Sequence, residues 1–248
     1  MTSRPVSSAP VAPVDVIRRR KLSDDVAVRL EAIIHSGEVA AGEPLPSERD
    51  LMLRFGVGRP AIREALFSLQ KMGLVAVQAG GRARVTTPTP AVLVETLSGA
   101  VRLMLASGQG IRDLQAARAF FEIGLARHAA VHATAADIGE LHAALEANRL
   151  ALGDLRKFEA TDVAFHHVLA LIPQNPIFSS FHQAVIGWLT EQRHITLKAR
   201  GQKDLAYKAH EQITKAIVAR DPDRAERLMR DHLNEVVRTY WRVRGDEQ

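Results

Sequence analysis

Two groups of residues have the types and spacing to do chemistry. The first is a set of arginines early in the chain. Arg59 and Arg63 are four positions apart, so on a helix they share one face near its start. The arginine fork matches O6 and N7 of guanine together, and the start of a recognition helix is the part that meets base edges. Arg49 precedes them on a separate predicted helix, placed to touch phosphate. Arg82 and Arg84 flank Ala83, so on a strand both point one way, toward a groove or a backbone. Singly, each is an ordinary solvated charge; together they point to double-stranded DNA. The second group is Asp162, His166, His210 and His232. Asp162 and His166 share a helix face, and the other two histidines fall on later predicted helices. Neutral imidazoles with one carboxylate suit Zn²⁺ and similar divalent ions. Spacing alone leaves the plainer reading open, because the chain has 10 histidines and most such residues are surface groups or hydrogen-bonded core groups. His167 is turned about 100° away and is read as outside the set.

The elements that must position these residues follow from periodicity. Leu22, Val26, Leu30, Ile33 and Ile34 recur at helical spacing, with acids in the first turn and Gly37 after the last. Residues 42–46 are extended by their prolines. Ser47 with Asp50 forms a capping-box pattern, opening a short helix to Phe55. Gly56-Val57-Gly58 is a tight turn before a helix from Arg59 to about Met72, with Pro60 in its first turn. Residues 74–77 and 82–86 read as short strands around Gly80-Gly81. Helix, helix-turn-helix and hairpin make a winged helix-turn-helix. Beyond residue 90 the pattern is helical, about seven helices between 91 and 242. Thr134/Asp137 and Asp221-Pro222 mark helix starts, and Pro173-Gln174-Asn175-Pro176 marks a break. The expected fold is therefore mainly α. A flexible basic arm (1–20) precedes the winged helix-turn-helix (21–87). A linker (88–90) then leads to an all-helical bundle (91–248).

Composition narrows the function classes. The net charge of +5 is concentrated in the first third, including Arg18-Arg19-Arg20-Lys21, which suggests a polyanion partner for that third. Aromatics are only 5%, which favours helices packed with Leu, Ala, Ile and Val over a large sheet. With no cysteine, disulfides, thiolate zinc sites and cysteine nucleophiles are excluded. No stretch approaches the roughly 18 apolar residues of a membrane span, and MTSRPVSSAPVAP lacks a signal-peptide core, so a cytoplasmic protein is expected.

The stretch Leu45-Pro46-Ser47-Glu48-Arg49-Asp50-Leu51, followed by Gly58-Arg59-Pro60-Ala61-Ile62-Arg63-Glu64-Ala65-Leu66, closely resembles the GntR family of bacterial regulators. The resemblance implies DNA contact by Arg49, Arg59 and Arg63. Gly58 stands where that family usually has Ser or Thr, and Ala79 where some relatives carry a polar wing residue. The later half resembles the FCD effector domain of the FadR-type subgroup, through Asp162-Val163-Ala164-Phe165-His166, His210 and His232-Leu233. That likeness implies a divalent metal, Zn²⁺ first, held by Asp162, His166, His210 and His232. It also implies that Arg118 pairs an effector carboxylate, the plainer alternatives being a surface residue or an ion pair with Glu122. Asn175 either lines the cavity or caps the next helix. Shorter stretches, among them Ile172–Phe178 and Trp188-Leu189, are similar to a sialic-acid-responsive branch, whose neighbours answer to lactate, hexuronates and other sugar acids.

These features favour a homodimeric repressor on a two-half-site operator, released by a small carboxylate such as a sugar acid. Two other classes stand beside it. A metal-dependent hydrolase is the first, for which no motif supplies a general base. A purely architectural DNA binder with a helical dimerisation domain is the second.

Overall fold

The computed structural model describes residues 21–77, 81–87 and 89–245. The expected arm at 1–20, the hairpin-turn residues Gln78, Ala79 and Gly80, the linker residue Pro88, and residues 246–248 lie outside the described residues. The chain forms two compact units, Met1–Pro88 and Thr89–Gln248.

In the first unit, α1 (Leu22–His35) carries Asp24 and Asp25 in its first turn, where they meet the positive end of the helix dipole. It buries Val26, Leu30 and Ile33 along one face. α2 (Glu48–Phe55) opens on a capping box: the Ser47 side chain accepts from the Asp50 amide, and the Asp50 carboxylate accepts from the Ser47 amide. Gly56 ends it in the left-handed region at φ 65°, which a residue with a Cβ adopts at a cost. α3 (Arg59–Lys71) starts with Pro60 in its first turn and packs Ile62, Ala65, Leu66 and Leu69 against α1 and α2. Its N-cap, Gly58, offers no side-chain acceptor. β1 (Val75–Ala76) pairs antiparallel with β2 (Arg84–Val85), Val75 opposite Val85 and Ala76 opposite Arg84. The strands are shorter than the expected 74–77 and 82–86. Ala83 instead accepts from the Leu45 amide at 2.7 Å, tying the second strand to the extended proline segment. That pairing turns Ala83 and Val85 inward and leaves Arg82 and Arg84 exposed.

The second unit is wholly helical among the described residues: α4 (Pro90–Met104), α5 (Gly108–His132), α6 (Ala135–Leu150), α7 (Leu155–Leu171), α8 (Pro176–Trp188), α9 (Thr190–Lys198), α10 (Gln202–Val218) and α11 (Pro222–Arg244). Eight helices stand where about seven were expected. α8 gives way to α9 at Leu189, two residues after Gly187, where the Thr190 hydroxyl donates to the Gly187 carbonyl at 2.9 Å. The core centres on α5. Its Ala126, Ala129 and Ala130 let neighbouring helices approach, and Phe165, Leu169, Ile213, Ile217, Met229 and Leu233 fill the space. The same interior buries Arg118, Glu122, Asp162, His166, His182, Arg193, His210 and His232. Unpaired, such groups cost several kcal/mol each, so the bundle must arrange them to satisfy one another. No described helix is long and apolar enough to cross a membrane.

Candidate metal centre and nucleic-acid interface

Three helices bring three histidines to one point inside the second unit. His166 lies on α7, His210 on α10 and His232 on α11, all buried. His166 Nε2 is 3.2 Å from His210 Nε2 and 3.4 Å from His232 Nε2. Two nitrogens each held about 2.0–2.1 Å from one tetrahedral Zn²⁺ stand about 3.3–3.4 Å apart, so this spacing fits a shared ion. Asp162 sits at the edge of the set. Its Oδ1 is 3.7 Å from His210 Nε2, and its Oδ2 is 3.5 Å from Arg193 Nε.

Hydrogen-bond partners fix which ring atoms face inward. The Thr161 hydroxyl donates to the Lys157 and Phe158 carbonyls, so it accepts from Asn148 Nδ2 at 3.0 Å. Asn148 Oδ1 is thereby turned to His210 Nδ1, also at 3.0 Å, which must carry the proton. The Glu122 carboxylate lies 2.7 Å from His166 Nδ1, off the alignment of a hydrogen bond, and its negative charge favours the proton on that nitrogen. Both Nε2 atoms then present lone pairs across 3.2 Å. Two facing lone pairs in a buried site repel, and a cation between them resolves the conflict. Phe165 braces His210 by stacking, ring centroids 4.1 Å apart. The carboxylate–histidine and amide–histidine supports are those that orient metal-binding imidazoles elsewhere.

Electrostatics favour neutral rings at His210 and His232. Burial, then the neighbouring His166, holds the His210 ring well below the ordinary histidine range; burial, then His210, does the same to His232. Burial opposes ionisation of Glu122, but Arg118 and His166 outweigh it and hold the carboxyl well below its usual range. His182 is kept neutral by burial against the pull of Glu122, whose Oε1 is 3.5 Å from its Nε2.

Arg118 is buried in an ion pair with Glu122, its Nε donating to Oε1 at 2.8 Å. It also lines two cavities of about 20 Å³, one of which reaches His232, each room for about one water. A third cavity, a groove of about 290 Å³ between α9, α10 and α11, shares Thr196, His232 and Val236 with the inner one. Asn175 is the N-cap of α8, accepting from the Ile177 amide at 3.0 Å, and lines none of these three. Sequence reading missed the support roles of Glu122 and Asn148, and missed His182 and Arg193. Only Glu122 carried a signal, its i+4 spacing from Arg118.

In the first unit, Arg49, Arg59, Arg63, Arg82 and Arg84 are all exposed. Glu48 gathers the recognition-helix pair: its carboxylate oxygens are 3.5 Å from Arg59 Nε and 3.8 Å from Arg63 Nε. The Ser47 hydroxyl lowers the Asp50 carboxyl at the start of α2, with smaller contributions in the same direction from Arg82 and Arg49. Arg84 donates to the Gly42 carbonyl at 3.0 Å. The result is an exposed basic surface over the apolar core of this unit, of the kind that meets phosphate and base edges.

Residues 22–85 match the family described as bacterial regulatory proteins, gntR family, and residues 113–235 match the FCD domain. The chain is 43% identical over 226 residues to the HTH-type transcriptional repressor NanR of Cronobacter sakazakii, covering 90% of this chain and 87% of that one. It is 43% identical over 231 residues to a repressor of the same name from Salmonella schwarzengrund, covering 92% and 88%. Among solved structures, a Streptococcus agalactiae GntR protein matches with a TM-score of 0.59 at 26% identity, over 87% of this chain and 99% of that one.

Proposed function

We propose a working mechanism from one premise: the chain belongs to the GntR family of bacterial regulatory proteins and carries an FCD domain. It is a ligand-responsive DNA-binding transcriptional repressor and not an enzyme, and the hydrolase alternative falls with that assignment. The finer reading has three parts. As a homodimer it grips two operator half-sites, Arg59 and Arg63 reading bases, with Arg49, Arg82 and Arg84 on backbone or groove. His166, His210 and His232, with Asp162 at the edge, hold one divalent ion, Zn²⁺ by donor chemistry. A sugar acid of the sialic-acid type binds beside that ion and weakens operator binding.

The observation that carries the sensor reading is the pair of Nε2 atoms of His166 and His210 facing each other at 3.2 Å in a fully buried site, with His210 Nδ1 held by Asn148. When bound, the ion supplies positive charge and an anchor for an anionic oxygen. Charge balance argues the same way. Arg118 and Arg193 offset Glu122 and Asp162, so a divalent cation leaves the interior net positive, and an acid's carboxylate offsets part of that charge. The groove of about 290 Å³ lies near the lower end of the ~300–1,000 Å³ range of small-molecule sites. Its lining is chiefly apolar, with Gln202, Lys208, Gln212, Asp231 and Glu235 as polar groups around it, and its size favours a sugar acid over lactate. Binding acts by favouring one arrangement of the paired reading heads over another.

The test is operator binding of the full chain to DNA selected from a random pool, with metal content measured in parallel. About one zinc per chain and release by N-acetylneuraminate are expected. Release by a hexuronate or lactate instead would redirect the effector. No metal in protein with all four ligands intact, or no response to any acid, would defeat the sensor. For the DNA face, Arg63→Ala is expected to cost ~1–3 kcal/mol of specific binding, read by anisotropy against a scrambled site.

A further inference from the structure

The buried charges around the histidines are not equivalent. Arg118 and Glu122 satisfy each other, with Nε–Oε1 at 2.8 Å and Nη2–Oε2 at 3.5 Å. Arg193, on α9, is only 7% exposed. Its Nη2 donates to the Ile186 carbonyl at 3.2 Å, and its Nε has no hydrogen-bond partner. The facing carboxylate oxygen, Asp162 Oδ2, stands off at 3.5 Å, while the other oxygen of that carboxylate faces His210. Burial lowers the Arg193 pKa, and Asp162 opposes this only in part. One position earlier, Gln192 is 8% exposed and its Oε1 is buried without a partner. Arg118, Gln192, Arg193 and Thr196 line one water-sized cavity, and Arg118, Arg193 and Thr196 continue into the cavity that reaches Asp162 and His232. An orphaned donor beside an orphaned acceptor on one short helix is costly unless something fills both.

We infer that Arg193, rather than Arg118, takes the effector's carboxylate, and that Gln192 accepts from a hydroxyl or amide N–H of the same molecule. The ligand class is therefore a hydroxylated or acylamino acid, not a plain carboxylate. This assignment rests on the acid-effector reading above and deepens it. Arg118 is committed to Glu122, and through it to the orientation of His166. With the charge of Asp162 drawn to a cation, Arg193 is the buried positive charge left to be offset. The groove beyond Thr196 and Val236 accommodates the rest of the ligand.

The experiment is calorimetric titration of the zinc-loaded full chain with N-acetylneuraminate, glucuronate, lactate and acetate, and with N-acetylmannosamine as a sugar lacking the carboxylate. The wild type is expected to bind a hydroxylated acid and to ignore N-acetylmannosamine. Arg193→Met is expected to weaken that acid by about 10- to 150-fold, with zinc per chain unchanged. Gln192→Met is expected to weaken it by about 3- to 10-fold. If Arg193→Met does not fold, Arg193→Lys keeps the charge but loses the fork, and weaker binding with zinc retained is again expected. Wild-type affinity in a zinc-replete Arg193 variant overturns the inference while leaving the acid-effector reading standing. So does loss of zinc in Arg193→Lys, which would make Arg193 a support for Asp162. Wild-type affinity in Gln192→Met removes the acceptor role. A wild type that binds none of the acids overturns both readings together.

Discussion

At the scale of single residues, the histidine site depends on which ring nitrogen holds its proton. Asn148 sets this for His210, through a chain that begins at the Thr161 hydroxyl. Asn148→Leu leaves the three Nε2 donors in place but removes the group that fixes the tautomer. We expect about 10- to 100-fold weaker zinc binding, measured by competition with a chromophoric chelator. Unchanged zinc affinity would mean that packing, chiefly the stacked Phe165 ring, is enough to orient His210. A second expectation concerns pH in the metal-free protein. Burial holds His210 and His232 well below, and His182 below, the ordinary histidine value. In the unfolded chain these rings take up protons below about pH 6.5, while the folded ones stay neutral. Stability is therefore complete above that pH and is lost as pH falls toward the depressed folded values. Thermal melts of chelator-treated protein between about pH 7.5 and 5.5 should show a falling midpoint, shallower in His210→Gln, which has one fewer such ring.

At the scale of elements, local chemistry decides where helices begin, and this part was legible in the sequence. Ser47 with Asp50 and Thr134 with Asp137 form capping boxes, and Asp221 caps a helix whose next residue is Pro222. Each signal lies within a few residues of the structure it causes. Ser47→Ala should therefore cost ~1 kcal/mol in the first unit, seen as a lower midpoint in chemical denaturation with an unchanged slope. No loss would mean that Asp50 alone caps α2. The break at Leu189 was not legible, because no proline or capping pattern marks it and Gly187, two residues earlier, sits inside α8. The same divide runs through the site. His166, one turn after Asp162, stands out as a motif within one helix. Asn148 and Arg193 reach the site from α6 and α9, and no spacing within either helix points at the histidines. Arg118 was legible as an arginine four residues before a glutamate, and its burial makes the ion pair the dominant contact.

At the scale of the whole molecule, the two units keep separate cores, and only one contains the candidate metal ligands. The first core is apolar, built on residues such as Leu30, Leu51, Ile62 and Leu69. The second places a polar cluster against Phe165, Ile213, Met229 and Leu233. An ion that binds only the folded second unit stabilises it by mass action, ~4 kcal/mol when free metal is 1,000 times its dissociation constant. The described residues of the first unit contribute none of the clustered histidines, so the direct stabilisation falls on the second. Scanning calorimetry should therefore resolve two transitions in zinc-loaded protein. Chelation should lower one and leave the other in place, and added zinc should restore it. The transition that stays fixed should be the one lowered by Ser47→Ala, which assigns it to the reading head. If chelation shifted both transitions equally, metal occupancy would be coupled to the folding of the DNA-binding unit itself. The repressor would then lose its grip on the operator by unfolding rather than by rearranging.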